Sequence, residues 1–106
     1  MLNKNLIISF LFVFSWSITE ASAHGDVARG KILSYICVDC HGSDGMGDED
    51  IPAITGKNAE DILKALEDFK SGARVDEGED MSEIAPDLSD QDIADLVAYY
   101  TTLTSK

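Results

Sequence analysis

Apolar residues recur at helical spacing in three stretches of the chain, and loops rich in glycine and charge separate them. The first stretch begins near Asp26, whose side chain can cap the amides that follow. It runs to about Cys37, with Val27, Ile32, Leu33 and Ile36 mostly on one side. Gly30 interrupts it. A mid-helix glycine costs about 1 kcal/mol relative to alanine, so its presence points to close approach by another backbone or a large ring. Asn58 opens the second stretch as N-cap with Asp61 at N3; Ile62, Leu63, Leu66 and Phe69 form its apolar stripe, and Gly72 ends it. Ser89 and Asp92 repeat that logic for the third, whose buried face is Ile93, Leu96, Val97, Tyr100 and Leu103. No alternating β-branched run is present, and the prediction is an all-α fold of three main helices.

A fourth apolar run, residues 6–16, reads as an address. Lys4 precedes it and Ala21-Ser22-Ala23 follows as a small-x-small cleavage site. Its eleven residues fall short of the roughly 20 needed to span a bilayer. The expectation is therefore a cleaved signal peptide over residues 1–23, export to the periplasm, and a soluble mature domain, 24–106, beginning at His24.

So short a domain buries too little surface to be stable without a staple, and a bound cofactor would supply apolar core. The formal charge is −12, from 20 acidic and 8 basic residues. That argues against nucleic acid or an anionic membrane surface as partner. A basic protein is the natural complement, while solubility alone is the plainer account of the same acidity.

The chemistry is concentrated at Cys37-Val38-Asp39-Cys40-His41, the CxxCH signature of c-type haem attachment. Two thiols three positions apart can each add to one of the haem's two vinyl groups, and the adjacent imidazole is carried beneath the iron. A thioredoxin-like redox pair would need a βαβ setting that the pattern lacks. A zinc site would need four ligands, and His24 is the other strong candidate. A plain disulfide suits an oxidising compartment but leaves His41 and the export signal as coincidences.

A second axial ligand has to come from the other face of the macrocycle. Met46 lies five positions after His41, too near, whereas Met81 lies forty positions on and precedes the last helix. Thioether ligation by Met81 is favoured; core filling is the ordinary use of methionine, and His24 is the other possible ligand. With both axial positions taken, such a site transfers electrons and has no vacancy for oxygen or peroxide, and methionine places its potential near zero or above.

Over essentially all of residues 24–106 the chain resembles class I cytochromes c. The likeness rests on CVDCHG at 37–42, IPAITGK at 51–57, FKSGAR at 69–74, Met81, and LSDQDIADLVAYY at 88–100. Within the class it is most similar to the cytochrome subunit of sulfide dehydrogenase (flavocytochrome c) and to halves of cytochrome c4. The resemblance implies thioether links at Cys37 and Cys40 and axial ligation by His41 and Met81. It implies that the Pro52 carbonyl accepts the Nδ1 proton of His41. It implies that Gly30 and Tyr99 meet where the terminal helices cross, and it sets Arg74 near a haem propionate, with an exposed ion pair as the rival account. Many of those relatives carry two haems, whereas one CxxCH here implies one. The acidic run Asp76-Glu77-Gly78-Glu79-Asp80 before Met81 is a departure, readable as a partner-facing patch or as a solvated loop.

Three functions follow as expectations. The first is the non-catalytic haem subunit or partner of a FAD-containing, sulfide-oxidising flavoprotein. The second is a free shuttle steered by its acidic surface to basic docking sites on respiratory complexes. The third is a haem enzyme or gas sensor in which Met81 leaves the iron, and it ranks last because no distal His or Arg arrangement accompanies Met81.

Overall fold

A computed structural model describes residues 25–78 and 80–104. The expected signal segment, its cleavage point, His24 and Glu79 lie outside the described residues. The elements are α1 (Val27–Leu33), α2 (Tyr35–His41), α3 (Ala59–Ser71), α4 (Asp80–Ile84), a 3-10 turn (Ala85–Asp87) and α5 (Asp90–Tyr100). No strand occurs among the described residues, in line with the all-α prediction.

Local sequence explains where the helices begin. Asp26 is extended and its carboxylate accepts from the Arg29 amide at 3.1 Å. Asn58 accepts from Asp61 N at 2.8 Å, and Ser89 and Asp92 close a reciprocal capping box at 3.0 and 2.9 Å. Gly72, at φ 88, ends α3 in the left-handed conformation that glycine adopts without a Cβ penalty.

The first helical stretch departs from expectation in two ways. It breaks at Ser34, whose hydroxyl donates back to the Lys31 carbonyl at 2.7 Å, and the chain restarts as α2 and runs on to His41. Part of the predicted apolar side is also on the surface, with Val27 at 44 % and Ile32 at 66 % exposure. Gly30 and Ser34 are buried instead, and Leu33 and Cys37 pack on the core. The reason is that α1 meets α5 backbone to backbone. A Cβ on Gly30 would stand 2.0 Å from the Asp95 carbonyl oxygen and 2.8 Å from Tyr99 Cβ; one on Gly25 would stand 2.0 Å from the Ala94 carbonyl oxygen. Small residues therefore own the interface and the large ones splay outward. In α3, Leu63 likewise lies outside the buried stripe of Ile62 and Phe69.

The core is Ile62, Leu88, Ile93, Leu96 and Tyr100, with Leu66, Val97 and Leu103 against it. One charge lies beside it. Asp95 has no exposed surface, and its carboxylate accepts from Asp26 N at 2.7 Å, the Arg29 guanidinium at 2.6 Å and Gln91 Nε2 at 2.9 Å. Arg29 also reaches Asp92 at 2.9 Å. Burial works against the Asp95 anion, but these donors outweigh it and hold its carboxyl below the usual carboxylate range. For Asp92 the Ser89 amide, the Arg29 guanidinium and the Ser89 hydroxyl do the same against a burial cost.

Candidate functional site

The CxxCH run forms most of α2, so one short helix presents both sulfurs and the imidazole. His41 is its last residue. Gly42, at φ 88, then turns the chain away, and the following loop folds back on itself through Gly47 N to His41 O at 2.7 Å and Ile54 N to Gly45 O at 2.7 Å. A Cβ on Gly47 would lie 2.1 Å from the Ile51 carbonyl oxygen, so this close return needs glycine. Its product is one contact: Pro52 O lies 2.8 Å from His41 Nδ1. A carbonyl can only accept, so Nδ1 carries the proton and Nε2 keeps its lone pair.

Cys37, Cys40, His41, Pro52, Arg74 and Met81 all line one cavity of about 730 Å³. The two thiols are unpaired, Cys37 half-buried and Cys40 exposed. Burial pushes the Cys37 thiol up, eased by a hydrogen bond with the Tyr100 hydroxyl and reinforced by nearby Cys40. Tyr100 is pushed up as well, by burial first and then by Cys37. Ile54, Ile62, Leu66, Leu88 and Leu96 form the apolar part of the lining; its charged part holds three cations, Lys57, Lys64 and Arg74, and six carboxylates, among them Asp68 paired with Lys64.

Arg74 is exposed and sits 4.7 Å over the Phe69 ring. Met81 belongs to α4, which neither periodicity nor composition announced, and its side chain is half-buried. Sequence reading also missed Asp76. The Asp76 carboxylate accepts from Met81 N at 3.2 Å, Ser82 N at 3.4 Å and the Ser82 hydroxyl at 3.2 Å. Desolvation opposes its charge, yet these donors hold its carboxyl below the usual range. A cap five residues ahead of the amide it serves matches no standard spacing, so no sequence signal pointed to it. Met46 is half-buried in the loop after His41, outside the cavity lining.

The residues fit a haem group. The volume falls within the roughly 300–1,000 Å³ of cofactor sites, the apolar lining suits a macrocycle, and Lys57 and Arg74 are cations available to its two carboxylates. The sulfurs and a tautomer-fixed imidazole are the donor set that covalent attachment requires.

The family model for cytochrome c matches residues 27–104. Cytochrome c4 of Pseudomonas aeruginosa is 36 % identical over 102 residues, covering 95 % of this chain and 49 % of that protein. The cytochrome subunit of sulfide dehydrogenase from Chlorobaculum tepidum is 39 % identical over 79 residues, 74 % of this chain and 70 % of that protein. Among solved structures, cytochrome c4 of Acidithiobacillus ferrooxidans superposes with a TM-score of 0.69 at 29 % identity, covering 76 % of this chain and 51 % of the other. The chain thus spans about half the length of the cytochrome c4 proteins it matches.

Proposed function

The chain belongs to the cytochrome c family of electron-transfer proteins and has its all-helical class I fold, and from that premise we propose that it is a periplasmic monohaem carrier of single electrons. The observation that carries the proposal is the convergence of Cys37, Cys40, His41, Pro52 and Met81 on one apolar cavity. When bound, haem supplies reversible one-electron exchange between ferric and ferrous iron. Cys37 and Cys40 would hold it by thioether links. His41 would ligate it through Nε2, and the Pro52 carbonyl, by accepting a hydrogen bond from Nδ1, fixes the ring and makes that nitrogen a stronger donor. Met81, which lines the same cavity, would supply its thioether as the second ligand and so favour the reduced state. Leu88, Leu96 and Ile62 keep water from the cavity floor. The targeting pattern of residues 1–23 supports the periplasmic location.

The electron donor in this proposal is a FAD-containing subunit that oxidises sulfide; the likeness to a sulfide dehydrogenase cytochrome subunit supports it. The net charge of −12 supports a second reading, a free shuttle drawn to basic docking sites with affinity that falls as salt rises. Affinity capture from the periplasm separates them, because a co-purifying flavoprotein supports the first reading and its absence the second. The primary test is the visible spectrum of protein matured in a periplasm. A reduced α-band of c-type haem, together with the ferric near-infrared band of methionine ligation, is expected. Protein with no covalent haem would overturn the proposal, and rapid carbon monoxide binding by the reduced form would favour a sensor or enzyme instead.

A further inference from the structure

Helix α4 has five residues and buries none of them. Isolated helices need about 12–15 residues to hold themselves together in water, so one this short takes its position from outside contacts. It packs on α3 and on the 3-10 turn. Its first amides have no partner within the helix, and Asp76 meets two of them, Met81 N at 3.2 Å through Oδ2 and Ser82 N at 3.4 Å through Oδ1. The Ser82 hydroxyl donates to the same Oδ1 at 3.2 Å. One carboxylate thus ties the loop leaving Arg74 to the backbone of Met81, which lines the cavity. The contacts are long, and it is their number on one ionised acceptor that gives them weight.

We propose that Asp76 is the positioning residue for Met81, clamping the first turn of α4 so that the thioether is presented to the cofactor cavity. The inference rests on the reading of Met81 as axial ligand. It also divides the acidic run preceding Met81: Asp76 is a structural clamp, and its charge is turned inward to the chain's own amides.

The test uses haem-loaded protein matured in the periplasm, with Asp76→Ala, Asp76→Asn, Met81→Ala and a charge control, Glu83→Gln, which removes an exposed carboxylate of the same helix. The readouts are the ferric near-infrared methionine band and the rate at which carbon monoxide binds the reduced protein. Asp76→Ala is expected to lose the band at temperatures where the wild type and Glu83→Gln retain it. It is also expected to bind carbon monoxide roughly tenfold faster, the factor that corresponds to losing hydrogen bonds to a charged group. Asp76→Asn, which keeps one acceptor oxygen, is expected to fall between and decides the matter if Asp76→Ala does not accumulate. Wild-type behaviour of both variants would overturn the proposal while leaving the ligand assignment intact. A band that survives Met81→Ala, or that the wild type lacks, would overturn the ligand assignment and this proposal with it.

Discussion

Where α1 crosses α5, the chain closes on itself. Gly30 and Gly25 bring backbones into contact, and Asp95 is buried with donors from Asp26, Arg29 and Gln91. Among the described residues no buried side-chain polar atom lacks a hydrogen-bond partner. The segment between Gly72 and Ser89 is made differently. Its elements are five and three residues long, and side-chain to backbone bonds from Asp76 and from Lys70 to the Leu88 carbonyl pin them. The contrast assigns separate tasks. The crossing closes the fold backbone to backbone, whereas the 72–89 segment, anchored in the interior by Ala85 and Leu88, carries Met81 and Arg74 to the cavity. Regions with few buried contacts open first, so stability should be graded between the two.

The largest effect is expected from Cys37→Ala with Cys40→Ala. Covalent haem, read by haem staining on a denaturing gel, should vanish entirely. Hydrogen exchange on the haem-loaded wild type should show the amides of α5 as the best protected and those of α4 as the least. Equal protection in both regions would break the contrast.

Next comes Gly30→Ala, which tests the crossing alone. A methyl group has nowhere to go between the Asp95 carbonyl and Tyr99, so the helices must part. Denaturant unfolding of the haem-loaded protein should show a loss of about 3 kcal/mol, the upper end of what overpacking costs. The low-temperature methionine band should stay in place, because Met81 is held from the other region. Loss of that band would mean that the two regions are coupled.

Asp95→Asn sharpens the same side electrostatically. Removing a charged acceptor from three donors should cost about 2 kcal/mol at neutral pH. The folded-state carboxyls of Asp92 and Asp95 lie below their ordinary value of about 3.9. The unfolded chain therefore binds more protons in that range, and stability rises with pH. The contribution is complete above the unfolded value and is lost as pH falls below about 4 through the folded values. Acid titration of the unfolding midpoint should be shallower in Asp95→Asn than in the wild type. An unchanged acid limb would remove Asp95 from the account.

The same division governs what could be read from the sequence. Asn58, Ser89 with Asp92, and the CxxCH run announce themselves through local spacing, because cap and ligand chemistry act within four residues. Asp95 gave no signal, since its donors Asp26 and Arg29 stand 69 and 66 positions away. The buried side of α1 was misread for a related reason. Periodicity weighs large apolar residues, whereas here contact with α5 selects glycine and leaves Val27 and Ile32 outside. Helix α4 was invisible because five mostly acidic or polar residues carry no period, and its capping carboxylate lies beyond the usual window.

The smallest effect belongs to Arg74→Ala, and it bears on the cavity side. An exposed guanidinium over a phenyl ring contributes about 0.5–1 kcal/mol, so the unfolding midpoint should move only slightly. Arg74 also lines the cavity, and a cation there favours the ferrous state, which carries one positive charge fewer than the ferric. Its removal should therefore lower the reduction potential, and raising the salt concentration should shrink that difference through screening. A potential unchanged at low salt would confine Arg74 to its contact with Phe69, and the role beside a haem propionate would be withdrawn. A fall in potential with an unmoved midpoint would instead show that this region tunes the electron without holding the fold.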